Sequence, residues 1–157
     1  MTLKQLNQHR GEANQAAHPT VPYADRVKPC KDNGANALTN AIREYLRIMG
    51  HYSVRVNVMG IPQDNRQVVT DTVGLRRTIG SIDYRPSGST RGVADILATV
   101  QGRSVSIEVK WNKDRQSNNQ KIYQSGVERS GGIYIIARAF EQFTNDFEHI
   151  FGVQVPE

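Results

Sequence analysis

The chain has 157 residues and 17.6 kDa, enough for one domain and short for two. Its 20 Lys+Arg against 15 Asp+Glu give a formal net charge of +5 and a sequence pI near 9.6, a balance that permits a polyanionic partner without requiring one. The single cysteine, Cys30, excludes an intramolecular disulfide and a Cys-rich zinc site, the four histidines lack the spacing of a helical zinc pair, and no apolar run reaches the length of a membrane span or a secretory core, so the expected setting is a reducing bacterial or host-cell cytoplasm.

Residues 1–33 are polar, broken by Pro19, Pro22 and Pro29, and sustain no apolar period. They read as an arm, either poorly ordered or an oligomer contact, ahead of a folded domain over 34–157. From Asn36 to Gly50, Leu38, Ile42, Tyr45, Leu46 and Met49 repeat at helical spacing and Gly50 is a natural stop. His51 to Met59 alternates as a strand, with Tyr52, Val54, Val56 and Val58 on one face. Gly60 to Asn65 reads as a turn, 66–85 as short β-like runs around Val68, Val69 and Ile79, and Arg85 to Gly92 as a loop.

Two alternating runs, Ala94–Val100 and Arg103–Lys110, flank Gln101-Gly102 and predict a hairpin. Trp111 to Gln116 is a polar connection. Ser117 is placed to cap a helix that runs to about Ser130 and stops at Gly131-Gly132. Ile133 to Ala137 reads as a buried strand, and Glu141 to His149 as a last helix. Phe140, Phe143, Phe147 and Phe151 form a stripe at three- and four-residue intervals, which reads as core packing or, in the competing reading, as a dimer face.

The hairpin carries the chemistry. With a two-residue turn at Gln101-Gly102, facing positions sum to 203, so Asp95 lies opposite Glu108, with Cβ atoms roughly 5 Å apart. Two carboxylates at that spacing repel unless a charge neutralises them, and oxygen donors suit Mg²⁺ or Mn²⁺. Ala94, Ile96, Ala98, Val100, Val105, Ile107 and Val109 then form the core face, and Lys110 shares the carboxylate face. An ammonium there can orient or deprotonate a water, or stabilise charge on a phosphoryl oxygen. The competing reading is a solvated hairpin face on which these charges are ordinary.

The stretches "GVADI", "SIEVK" and "SNNQKIYQSGVERSGGIYIIA", with "ALTNAIREYLRIMGHYSVRVNVMG" upstream, resemble the core of PD-(D/E)xK nucleases. The likeness is to the VRR-type nuclease domain of phage and bacterial proteins, related to Holliday-junction resolvases, and runs from about Asn36 to Ala137. It implies a restriction-endonuclease-like α/β fold, a mixed β-sheet flanked by helices, and one- or two-metal phosphodiester cleavage. By the same resemblance Asp95, Glu108 and Lys110 form the catalytic triplet, the Val109 carbonyl is a further metal ligand, and Gln120 matches the family's helix glutamine. Ala94 replaces the usual proline. The glutamate that the family often carries early in the first helix is missing, and Asn36 or Glu44 is the candidate substitute.

Lys113, Arg115 and Lys121, with Lys110, Trp111 and Tyr123, form a candidate phosphate-tracking strip. Arg76, Arg77, Arg85 and Arg91 could line a second side of a DNA groove. Both sets also read as solvated surface. The function expected from all this is Mg²⁺- or Mn²⁺-dependent DNA cleavage, selective for branched or junction DNA rather than for sequence. The alternatives are a catalytically weak or inactive DNA-binding module of the same fold, and a structural or packaging protein. A two-strand cut calls for two copies, most simply a C₂ homodimer.

Overall fold

A computed structural model describes residues 1–56, 61–85 and 90–152, without the side chains of Ile61 and Arg85. The chain divides into two units, Met1–Val56 with Arg91–Glu157, and Asn57–Thr90.

The first unit is built on the expected hairpin. Strand β6 (Ile96–Val100) pairs antiparallel with β7 (Arg103–Val109), from Ile96 opposite Ile107 to Val100 opposite Arg103, so the sum of 203 holds. Gln101 (φ 49°) and Gly102 (φ 76°) both take positive φ, the twist-matched two-residue turn that fixes this register. On β6's other side lies β1 (Tyr52–Arg55), antiparallel, with Val54 opposite Leu97. β8 (Ile133–Ala137) runs parallel to β7, Glu108 facing Ile136. Parallel neighbours need a crossover, supplied by α3 (Asn118–Arg129) with Ser117 as N-cap.

Helices α2 (Ala35–Ile48) and α4 (Phe140–Phe151) cover the apolar face of this four-stranded sheet. Leu38, Ala41, Ile42, Tyr45 and Leu46 of α2 lie on one stripe and are fully buried with Ile96, Val100, Val105 and Ile107. The phenylalanine stripe is core: Phe140, Phe143 and Phe147 meet Tyr45 edge-on at centroid distances of 6.1, 5.9 and 5.6 Å. Its rings are buried within one copy, which removes the stripe as a dimer face.

The first 33 residues differ most from expectation. Leu3–Ala17 forms a helix, α1, opened by a capping box between Thr2 and Gln5. Only Leu6 of it is a fully buried hydrophobe. Its asparagines do the rest: Asn7 exchanges hydrogen bonds with the Cys30 backbone (2.6 and 3.1 Å), and Asn14 donates to the Ala24 carbonyl at 2.6 Å. Gly11 lies so close to Asp25 that a Cβ would stand 2.7 Å from its carbonyl oxygen. The segment is thus folded onto α2 by polar contacts that leave no apolar period to read. Strand β1 also departs from expectation. It is an edge strand whose apolar side faces outward, Tyr52 being 74% and Val54 43% exposed. Val58 and Met59, the end of the predicted strand, lie outside the described residues, as do Gly60 and the 86–89 part of the predicted loop.

The second unit holds β2 (Ile61–Asp64), where a turn was expected, with β3 (Gln67–Thr70), β4 (Arg76–Ile79) and β5 (Ile82–Arg85). β2 pairs with β5 and β3 with β4, both antiparallel and both with facing positions that sum to 146. The Asn65 N–H donates to the Ser81 carbonyl at 3.1 Å between the two ladders, so they continue as one two-stranded ribbon. At its tip Asp71 accepts from the Val73 and Leu75 N–H groups at 3.0 and 2.9 Å.

The chain is therefore a mixed α/β protein, with four helices and a four-stranded mixed sheet plus small hairpins among the described residues. None of these helices is long and apolar enough to cross a membrane.

Candidate active site

Alternation along β7 sends Val105, Ile107 and Val109 into the core and Ser106, Glu108 and Lys110 to the opposite face. That face is covered by α3, so the polar side chains are buried too: Ser106 is 1%, Glu108 2% and Lys110 4% exposed. Buried charge at such a place requires partners.

The partners are local. Lys110 Nζ lies 3.1 Å from Glu108 Oε1 and donates to Gln120 Oε1 at 3.0 Å, with Asp114 Oδ2 at 3.4 Å. Gln120 Nε2 donates to the same Glu108 oxygen in a short hydrogen bond, and the Tyr134 hydroxyl reaches Glu108 Oε2 at 3.5 Å. Gln120 also completes the α3 capping box, accepting the Ser117 N–H at 2.9 Å. The cap therefore fixes the side chain that spans the acid and the base.

Asp95 stands one residue before β6. Its carbonyl accepts the Val56 N–H at 2.8 Å and its Oδ2 accepts the Val109 N–H at 2.9 Å, which holds its side chain against the end of β7 just beyond the last ladder pair, Ile96 opposite Ile107. Burial raises the Glu108 carboxyl above the ordinary range, and the Asp95 charge adds to that rise. Lys110 and Tyr134 oppose it.

The donor set fits a hard divalent cation. Asp95 and Glu108 supply carboxylate oxygens, the Val109 carbonyl is adjacent in sequence, and the Asp95 charge acts on Glu108 strongly enough to add to the rise that burial causes in its pKa. Among the described residues, no group of three or more His, Cys, Asp or Glu is placed to hold a metal.

Asp95, Glu108, Lys110 and Gln120 are thus brought together. Of the two candidate substitutes for the helix glutamate, Glu44 is directed elsewhere. Asn36 Oδ1 accepts from Arg55 at 2.6 Å, and Glu44 pairs with Arg10 at 3.2 Å and Arg47 at 3.1 Å on the far side of α2. Glu44 therefore does not take the place of the missing helix glutamate. Arg91, Lys113, Arg115 and Lys121 are exposed, and the Arg85 side chain lies outside the description. Tyr123 is turned inward, its hydroxyl 3.3 Å from Ser106 Oγ, and is not part of a surface strip.

Three contributors were not found in the sequence. Tyr134 was read as part of a uniformly apolar strand, though parity with Ser106 places it on the polar face. Asp114 sits four residues after Lys110, in a connection read only as polar. Gly92 (φ +78°) lies against the α3 N-terminus, where a Cβ would stand 2.6 Å from the Gln120 nitrogen, and so seats the loop before Asp95 on the helix that carries Gln120. No protein-family model, curated protein or solved structure matches the chain.

Proposed function

We propose that the chain is a metal-dependent deoxyribonuclease with a restriction-endonuclease-like core, acting on branched or otherwise structured DNA. The observation that supports this most is a buried Glu108–Lys110–Gln120 cluster with Asp95 held beside it on the Val109 N–H, where a solvated hairpin would leave these charges in water. Asp95, Glu108 and the Val109 carbonyl would hold Mg²⁺ or Mn²⁺, which supplies Lewis-acid activation of water and of the scissile phosphate. Lys110 holds a positive charge beside that point, suited to orienting the attacking water or to stabilising charge on a phosphoryl oxygen. Gln120 fixes Lys110 against Glu108, and α3 keeps solvent from the pair. The net charge of +5 and the exposed Arg91, Lys113, Arg115 and Lys121 suit a phosphate backbone read by shape.

That no three His, Cys, Asp or Glu side chains among the described residues are grouped to hold a metal favours a second reading, a DNA-binding module with little activity. The deciding experiment incubates duplex, nicked, single-stranded and four-way DNA with and without Mn²⁺. Metal-dependent cleavage that is lost in Asp95→Asn and Glu108→Gln is the expected result. Retained binding with no cleavage of any substrate would replace the enzyme by the binding module.

A further inference from the structure

Behind α2, on the side away from the sheet, lies a cavity of about 630 Å³ bounded by α1, the 28–33 segment and α2. Its size is that of a small-molecule site. Its α2 wall is Ala37, Asn40, Arg43 and Glu44, while Leu38, Ala41, Ile42, Tyr45 and Leu46 face the core. Asp95, Glu108 and Lys110 lie across both helix and sheet, so this cavity is separate from the candidate active site.

The lining is cationic. Arg10, Lys28, Lys31 and Arg43 surround it, with Glu44 as the one carboxylate. Glu44 is already shared between Arg10 (3.2 Å) and Arg47 (3.1 Å). Lys28, Lys31 and Arg43 form no ion pair among the described residues. The Arg43 Nε atom is buried with no hydrogen-bond partner there, an arrangement that native proteins rarely leave unanswered.

The walls are held in place independently of any ligand. Arg10 Nη1 donates to the Lys28 carbonyl at 2.7 Å, and Asn7 clamps Cys30 through both backbone groups. The strap that carries Lys28 and Lys31 is thereby pinned over the cavity. A pinned, concave set of ammonium and guanidinium groups matches several phosphate oxygens held close together.

We propose that this cleft binds the polyphosphate of a small phosphorylated ligand of nucleotide size, such as a nucleoside di- or triphosphate. A nucleic-acid strand is disfavoured because its phosphates are spread along an extended backbone, whereas these cations converge on one concave cleft.

The test is calorimetric titration of the full chain in EDTA at low salt, with inorganic tripolyphosphate, ATP and a twelve-residue oligothymidylate as separate probes. EDTA prevents recruitment through a metal at the carboxylates. Saturable binding of tripolyphosphate and ATP is expected, weakened at least tenfold by Lys31→Glu and by Arg43→Gln and reduced by added salt. Asp95→Asn should bind as the wild type does, whether or not the chain is a nuclease. Lys31 is exposed, so its variant keeps the test valid if Arg43→Gln misfolds. No saturable binding at millimolar ATP, binding of the oligonucleotide alone, or affinity unchanged in Lys31→Glu would each overturn the proposal.

Discussion

Replacing Lys110 by methionine removes the cation from a buried pair and keeps most of its volume. At 3.1 Å the attraction to Glu108 is about 5 kcal/mol for an effective dielectric constant of about 20. Part of that only offsets the desolvation of the two charges. What the variant leaves is a carboxylate 2% exposed, beside Asp95, with Gln120 and a distant Tyr134 hydroxyl as its partners. Breaking a buried pair this way costs about 3–5 kcal/mol, and the lower end is expected because Glu108 can escape by protonation. For a domain of this size that is a fall in Tm of roughly 6–12 °C. The loss should also depend on pH. Glu108 titrates above its unfolded value, so its contribution to stability is present below the unfolded pKa of about 4.3 and is lost as pH rises through the folded one. Lys110→Met raises the folded pKa further, so the variant should approach the wild type in acid and fall behind at neutral pH. Glu108→Gln combined with Lys110→Met should recover most of the loss, a coupling of about 2 kcal/mol or more in a double-mutant cycle read by urea denaturation at pH 5 and pH 7.5. A pH-independent loss below about 1 kcal/mol, with no coupling, would refute the view that the two charges form one structural unit.

Asp95→Asn should abolish calorimetric Mn²⁺ binding at the hairpin while circular dichroism stays native, and unchanged binding would end the metal assignment. Gly92→Ala combines a left-handed φ with a collision at Asn119 and Gln120. It should lower stability by about 1–3 kcal/mol and reduce any cleavage more than an Ala substitution at Gly131 (φ +79°), whose Cβ would meet nothing within 4 Å. Burial lowers the His51 pKa, and its Nε2 is buried without a partner among the described residues. Stability should therefore fall as pH drops from about 6.5 toward the lower folded value, and His51→Gln should flatten that slope in thermal melts across pH 5–7.5.

The hairpin was legible because two constraints agreed: a Gln-Gly turn fixes the register, and alternation sorts the residues onto faces. The same holds for α3, where Ser117 and Gln120 declare the helix start in the sequence itself. The first helix was missed, because asparagine contacts with a distant backbone leave no apolar period and the Thr2–Gln5 capping box was its one local signal. β1 misled in the opposite way: Tyr52 and Val54 alternate as if buried, yet an edge strand leaves them exposed. At the site, Asp95, Glu108 and Lys110 lie close along a hairpin, so local reasoning reached them, while Gln120, on the helix after it, was reached only through the family resemblance. Tyr134 and Gly92 act through parity with a parallel neighbour and through a close backbone approach, which only the assembled chain displays.

The chain leaves the main sheet after Val56 and is back beside it at Asp95, where the two residues are joined by a 2.8 Å backbone hydrogen bond. Departure and return are therefore fixed to the same spot whatever lies between. The entropic cost of closing a longer excursion grows slowly, about 0.6 kcal/mol for each doubling of its length. The 61–85 ribbon, which supplies its own ladder, thus occupies a graft position. It can be lengthened, trimmed or exchanged for a foreign hairpin without re-registering the strands that carry Asp95 and Glu108. In evolution, changes of length and sequence can accumulate there while the hairpin register is held constant.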